Sequence, residues 1–352
     1  MSAKTRVGVI GAGSWALASH LPNLARRDDV EFVAVNRRGE DALKRVQRAY
    51  GFAHAHTEWQ DVLDHDIDVV VISSPTSFHV EQGVAALERG IHVLMEKPVA
   101  IDSQSAWRLA EASERTGRHV VVAFGWNFKP MIRQAKRLMT EHGIGEVEAV
   151  SLHMSSQTRE LLSNTGAYPD ASKDLLPQNE TWTDPSISGG GYAQAQLSHA
   201  LGLQLWLTDM RVDGAFARMT APLSAPVELH DAVTLRYEGG AIGTMFGGSN
   251  HVGAGNNKHQ LNFFAIGSEG QLRVDVEREQ VWLFRSDGFE ANLPLTDKDG
   301  AYDCIGPVDT VIELAQGGHV ENCAPAWLGA RTVEALELAY ASAGSGHFEE
   351  RK

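Results

Sequence analysis

Three features of this chain carry residue types capable of chemistry. The first is the loop Gly11-Ala12-Gly13-Ser14-Trp15-Ala16, which can bring backbone N–H groups against phosphates. The second is Lys97, in the run Met95-Glu96-Lys97-Pro98-Val99 that ends the apolar segment His92-Val93-Leu94-Met95. Ligands of open parallel sheets bind just beyond such strand ends, and an ammonium there can supply charge to a developing alkoxide. The third is His199, on a helical stretch opened by Gly189-Gly190-Gly191-Tyr192. A neutral imidazole can accept a proton near pH 7. Taken singly, each has a plain structural reading: a glycine turn, a surface lysine, a core histidine.

The elements around them sharpen the reading. Arg6-Val7-Gly8-Val9-Ile10 reads as a buried parallel strand, and a helix is predicted over about 15–26. The glycine loop lies between them, the context a dinucleotide fingerprint requires. Gly11 permits the tight turn, Gly13 lets pyrophosphate approach the backbone, and Ala16 allows close helix–strand packing. Ser14 and Trp15 open the helix whose free N–H groups face the phosphates. The next strand, 31–35, ends in Asn36-Arg37-Arg38. An NAD enzyme commonly has a carboxylate at that point for the ribose hydroxyls. Two guanidinium groups without a carboxylate suit a 2′-phosphate instead. NADP is therefore the expected cofactor, with NAD as the alternative; Arg37 and Arg38 also read as solvated charges opening the next helix. A buried strand over 67–72 ends in Ser73-Ser74-Pro75-Thr76-Ser77-Phe78-His79, and a helix over 103–115 and a strand over 119–124 continue the alternation.

After about residue 130 the pattern changes. Strands are predicted over 147–155, 215–219, 227–237, 241–247, 260–266, 271–276 and 280–285, several with period-two alternation. Glu238-Gly239-Gly240-Ala241 and Gly267-Ser268-Glu269-Gly270 are turn chemistry between paired strands. Helices over 308–316 and 326–343 close the chain. The fold class is an α/β Rossmann nucleotide-binding domain, 1–125, plus an α+β domain with a large, mostly antiparallel open sheet, 126–352. The stretch 157–187, with Pro169, Pro177 and Pro185, is long and polar enough to be a functional loop.

The glycine fingerprint, Ser74-Pro75 with His79 four residues on, and Glu96-Lys97-Pro98 together resemble the glucose–fructose oxidoreductase / inositol dehydrogenase / rhizopine catabolism family. The segment Trp182-Thr183-Asp184-Pro185 followed by Gly189-Gly190-Gly191 resembles that family's second-domain pattern, shortened and without its arginine. The resemblance implies that Lys97 sits beside the nicotinamide and takes part in proton transfer at a sugar or polyol hydroxyl. It implies a cis bond before Pro98. It implies that Ser74, Pro75 and Glu96 contact the cofactor, as does His79 unless that residue is a local helix cap. It implies that His199 faces the substrate together with Lys97.

The helix bearing His199 carries Ala195 where the family has Asp, and Asn127 stands where the family has arginine. Without that carboxylate, Lys97 and His199 should both hold protons less tightly, which makes neutral His199 a general base. Trp126, Asn127, Trp182, Tyr192 and Gln196 are the remaining candidates for lining a carbohydrate site. Gln194 brings a second amide to the same helix turn. The expected activity is hydride transfer between NAD(P) and a secondary hydroxyl or ketone of a sugar, polyol or glycoside. Two alternatives remain open: a cofactor-dependent glycosidase using transient ring oxidation, and a non-enzymatic cofactor-sensing regulator. Relatives use the outer face of the second sheet to form homodimers or homotetramers.

Bulk properties narrow the partners. The net charge of −14 argues against nucleic acid and anionic membranes as partners. No apolar stretch approaches the roughly 20 residues needed to span a bilayer, and the first residues have no signal-peptide pattern. Cys304 and Cys323 cannot build a disulfide framework, so a reducing cytoplasmic setting is expected. His54, His56 and His65 lack a coherent set of acidic or thiol partners, and no metal site is assigned.

Overall fold

The computed structural model describes residues 4–167, 178–250 and 259–351. Its first sheet is parallel, with strands β1 Thr5–Ile10, β2 Val30–Asn36, β3 His54–His56, β4 Val69–Ile72, β5 His92–Met95 and β6 Val120–Val122 in the order β3-β2-β1-β4-β5-β6. Helices cover both faces, so the central strands can be apolar throughout; every residue of β4 and β5 is buried. The chain runs outward from β1 to β3 and then crosses back over the sheet to β4, and the switch point between β1 and β4 opens a crevice at the carboxyl ends of these strands.

The crossover helix Ser103–Thr116 shows how local chemistry sets these boundaries. Asp102 Oδ1 accepts from the Ser105 amide at 2.7 Å, and Gly117 ends the helix in the left-handed region at φ 65°. Each cap satisfies backbone groups the helix leaves unpaired, at about 1 kcal/mol for the aspartate.

The second sheet holds nine strands. They are β7 Val147–Ser155, β8 Val212–Thr220, β9 His230–Tyr237, β10 Ile242–Gly248, β11 Gln260–Gly267, β12 Gly270–Asp275, β13 Gln280–Arg285, β14 Glu290–Asn292 and β15 Glu349–Glu350. Their order is β14-β13-β12-β11-β7-β10-β9-β8-β15, antiparallel except for the β7–β10 pair. Alternate residues of β9 and β10 are buried and the opposite face is open, while the helix Ser198–Thr208 packs on β7 and β11 and Ala326–Ser345 on β8. Ile242 and Phe246 stand exposed on it, with Ile266 and Phe284 farther along the same sheet.

The last helices tie the two sheets together. Ile305–Ala315 packs on β4, β5 and β6, and Ala326–Ser345 packs on both β8 and Ser103–Thr116. The polar stretch 157–187 contains short helices at Arg159–Leu162, Glu180–Thr183 and Pro185–Ser188. Pro169 and Pro177 lie outside the described residues. The strand expected to start at 227 starts at His230, because Glu228 is drawn off to bond elsewhere. No helix among the described residues is long and apolar enough to cross a membrane.

Candidate active site

A cleft of about 840 Å³ runs along the carboxyl ends of the first sheet and beneath the second domain. At one end β1 turns into its helix at Gly11, whose φ is 76°. A Cβ there would lie 2.5 Å from the Ser74 amide nitrogen, so only glycine lets the two loops meet. Gly11, Gly13, Ser14 and Trp15 line the cleft, with Ser74 and Pro75 opposite.

The residues after β2 form the outer end. Asn36 lines the cleft and is held on both sides: its Oδ1 accepts from the Gly11 amide at 3.3 Å, and its Nδ2 donates to the Thr57 carbonyl at 2.8 Å. It braces the glycine loop against β3. Arg37 donates to the Ala12 carbonyl at 2.9 Å, and burial together with Arg45 holds its pKa below the usual value. Arg38 reaches across the cleft to Gln178 Oε1 at 2.5 Å. Gln178, Thr181 and Trp182 lie along the cleft on the side of the second domain.

His79 lines the cleft, but its ring braces two loops: Nε2 lies 2.8 Å from the Ser74 carbonyl and Nδ1 2.8 Å from that of Pro98. The Lys97–Pro98 bond is cis. Glu96 lines the cleft, its carboxylate held at the strand end. Its Oε1 meets His20 Nε2 at 2.7 Å and its Oε2 accepts from the Lys97 amide at 3.0 Å. Burial pushes the Glu96 carboxyl up, but His20 and Lys97 more than offset this and leave it below its usual value. His20, Glu96 and Cys304 bring potential ligand atoms within 4.8 Å of one another. His20 was not singled out in the sequence; it ends a π-helical turn, Ala16–His20, which rolls it inward.

Lys97 Nζ donates to the Ala195 carbonyl at 2.6 Å. Thus the main chain of residue 195 meets the ammonium where the resemblance implies a carboxylate. The helix following the three glycines begins as a π-helical segment, Ala193–Leu197, and becomes α-helical at Ser198–Thr208. Its start is anchored from a distance: Glu228 accepts from the Gly191 amide at 2.9 Å, the Ala193 amide at 3.1 Å and the Tyr340 hydroxyl at 2.6 Å. Nothing in the local sequence announces Glu228 or Tyr340 as partners of this helix, because the contact joins segments far apart in the chain.

His199 is 4% exposed and lines the cleft with Lys97. Burial, then Lys97 and His259, hold its pKa well below the ordinary imidazole value. Burial also lowers Lys97, with Glu96 opposing. In both groups burial is the largest cause, and position 195 contributes no charge to either. Trp126, Trp182 and Gln196 also line the cleft. Tyr302 and His259 line it too and were missed by sequence reading, since neither belongs to a recognisable local pattern.

Two expected lining residues lie elsewhere. Asn127 is fully buried, its Nδ2 donating to the Cys323 carbonyl at 3.0 Å, because the turn Gly125–Phe128 points it into the domain junction. Tyr192 is also fully buried, and its hydroxyl meets the Met154 carbonyl and Ser156 beneath β7. His54, His56 and His65, expected to be scattered, come together: His56 Nε2 and His65 Nε2 are 2.8 Å apart, and His54 stacks on His65 with ring centroids at 4.0 Å. The crossover after edge strand β3 folds back and brings His65 over it.

Profiles of two domains match most of the chain. An oxidoreductase family with an NAD-binding Rossmann fold matches residues 5–124, and the GFO/IDH/MocA C-terminal domain matches 132–273. Oxidoreductase P35 of Formosa agariphila is 30% identical over 206 residues, 58% of this chain and 60% of the relative. Levoglucosan dehydrogenase of Pseudarthrobacter phenanthrenivorans is 26% identical over 261 residues, 66% of this chain and 61% of the relative. The chain thus aligns with about half to three fifths of the length of such curated relatives. A solved levoglucosan dehydrogenase in complex with NADH and levoglucosan superposes with a TM-score of 0.79 at 19% identity, covering 99% of both chains. That likeness establishes the shared fold.

Proposed function

We propose, from the premise that the chain belongs to the GFO/IDH/MocA oxidoreductase family, that it transfers hydride between a nicotinamide cofactor and a secondary hydroxyl of a sugar, polyol or glycoside. One observation carries the reading: Lys97 and His199, from different sheets' helices and strands, line one cleft with the Gly11–Gly13 loop. The Gly11–Ser14 loop would hold the pyrophosphate. The cofactor accepts or returns the hydride when bound. On the protein side, neutral His199 takes the hydroxyl proton during oxidation and returns it during reduction. Lys97, held by the Ala195 carbonyl, places its charge at the reacting oxygen and favours alkoxide character there.

NADP is the preferred cofactor in this reading. Arg37 and Arg38 line the outer end of the cleft, and Asn36 puts no carboxylate beside the ribose. Arg38 would exchange the neutral amide of Gln178 for the anionic 2′-phosphate, a stronger acceptor for its guanidinium. The substrate is a small carbohydrate: Trp126 and Trp182 offer apolar ring faces, and Gln196 offers amide hydrogen bonds. The open sheet face with Ile242 and Phe246 pairs two copies of the chain. Two buried free cysteines suit a reducing cytoplasm.

The test is a panel of sugars, inositols and glycosides with NAD and NADP, following the absorbance of the reduced nicotinamide. Lys97→Met and His199→Gln should each abolish turnover of any substrate found while leaving cofactor binding in place. Unchanged turnover in either variant removes that residue from the mechanism.

A further inference from the structure

His199 faces an energetic difficulty if it is to accept a proton. It is buried, and the groups acting on it are Lys97 and His259, both of which oppose a second positive charge. Its Nδ1 has no hydrogen-bond partner among the described residues. Position 195, one turn back on its own helix, contributes a methyl side chain and a carbonyl already taken by Lys97. Among the described residues, an imidazolium here has no anion acting on it and no acceptor at Nδ1.

What surrounds the ring instead is aromatic. Trp126 lies with its centroid 5.1 Å from that of His199 at an interplanar angle of 85°, and Tyr302 lies at 5.3 Å and 74°. Phe124 stands farther off at 6.0 Å and 67°. All are edge-to-face arrangements with centroids within about 6 Å, the range of cation–π attraction where the aromatic ring presents its face. Trp126 and Tyr302 also contact each other, with centroids 4.5 Å apart.

These rings are fixed from behind. The Trp126 indole N–H donates to the Gly300 carbonyl at 3.3 Å, and the Tyr302 hydroxyl lies 3.4 Å from the Ala123 carbonyl and 3.5 Å from Cys304 Sγ. Burial holds the Tyr302 phenol well above its usual pKa, so the ring stays neutral. A wall oriented before the proton arrives costs no reorganisation when it does.

We propose that Trp126 and Tyr302 form a π-electron wall that stabilises protonated His199, replacing the carboxylate that position 195 lacks. This rests on the assignment of His199 as the base. Trp126 and Tyr302 are positioning residues in this role: they act through the imidazole and exchange no proton with the substrate. The balance is simple. The hydroxyl proton moves to His199 as hydride leaves the carbinol carbon, and the imidazolium returns its proton to solvent once the ketone has gone.

The measurement is the titration of His199 in the holoenzyme saturated with NADP⁺, followed by the ¹³Cε1 resonance of labelled histidine and assigned by its loss in His199→Gln. Tryptophan is replaced biosynthetically by mono-, di- and trifluorinated analogues, which drain the ring quadrupole with little change of shape. The expected result is a stepwise fall of the His199 midpoint, by about 0.5–1 pH unit over the series. The chain has eight tryptophans, so the series is repeated in Trp126→Phe, where the dependence should vanish. A midpoint that ignores fluorination, or one that shifts equally in Trp126→Phe, overturns the π-wall. Turnover surviving in His199→Gln overturns the base assignment beneath it, a result the titration cannot imitate.

Discussion

Restoring a carboxylate by Ala195→Asp tests the electrostatics of the site directly. Lys97 Nζ already reaches the carbonyl of residue 195 at 2.6 Å, so a carboxylate on that residue comes within about 4–6 Å of the ammonium. At an effective dielectric of about 20, opposite charges at that range attract by roughly 3–4 kcal/mol, or about 2–3 pKa units. Solvent in the open cleft screens part of this, and we predict that Lys97 and His199 each rise by about 1–2 units. The sign follows from the roles. His199 must be neutral to accept a proton, and it is held well below the ordinary imidazole value, so the acid limb of oxidation lies below that range in the unsubstituted enzyme. In Ala195→Asp the limb moves to higher pH. Lys97 must be charged, and its raised pKa moves the alkaline limb upward as well. The assay is kcat/KM for oxidation against pH with saturating cofactor. Limbs that stay where they were, in a variant that folds and binds cofactor, would refute the roles proposed for Lys97 and His199.

Three further outcomes are expected. Replacing Arg37 and Arg38 together by alanine should raise KM for NADP by about tenfold or more while leaving NAD nearly unaffected, as steady-state kinetics with both cofactors would register; an equal loss for both removes the 2′-phosphate reading. His20→Ala leaves the buried carboxylate of Glu96 short of its 2.7 Å partner and should cost about 1.5–3 kcal/mol in urea unfolding, with a smaller loss for His20→Gln. Phe246→Asp puts a charge on the open sheet face where Phe246 is 50% exposed, and light scattering should show a shift toward monomer; an unchanged mass places any interface elsewhere.

Much of the fold can be read from residue patterns, because the cues are local. β7 and β13 occupy the spans their alternation indicates, and the glycine loop falls between strand and helix as its spacing requires. Burial of the central strands on two faces forces them to be apolar, which is visible without coordinates. Asn127 and Tyr192 were beyond such reading: their neighbours in sequence face the cleft, and only the packing of Gly125–Phe128 and of the β7 floor turns these two inward. The histidine cluster beside β3 and the roles of Tyr302, His259 and Glu228 rest on contacts between segments far apart in the chain, which spacing does not encode.

The amino-acid sequence by itself determined the nucleotide loop, the strand-end lysine, the helix histidine and the loss of the acid at position 195. Those are matters of residue type and short-range order. The tertiary structure decided what faces Lys97 and His199 in place of that acid. A π-helical turn, pinned by a glutamate from a neighbouring strand's approach, turns a main-chain carbonyl to the ammonium. Aromatic rings from two distant segments close on the imidazole. Dipoles and ring quadrupoles act only through orientation, and orientation exists only once the chain has folded.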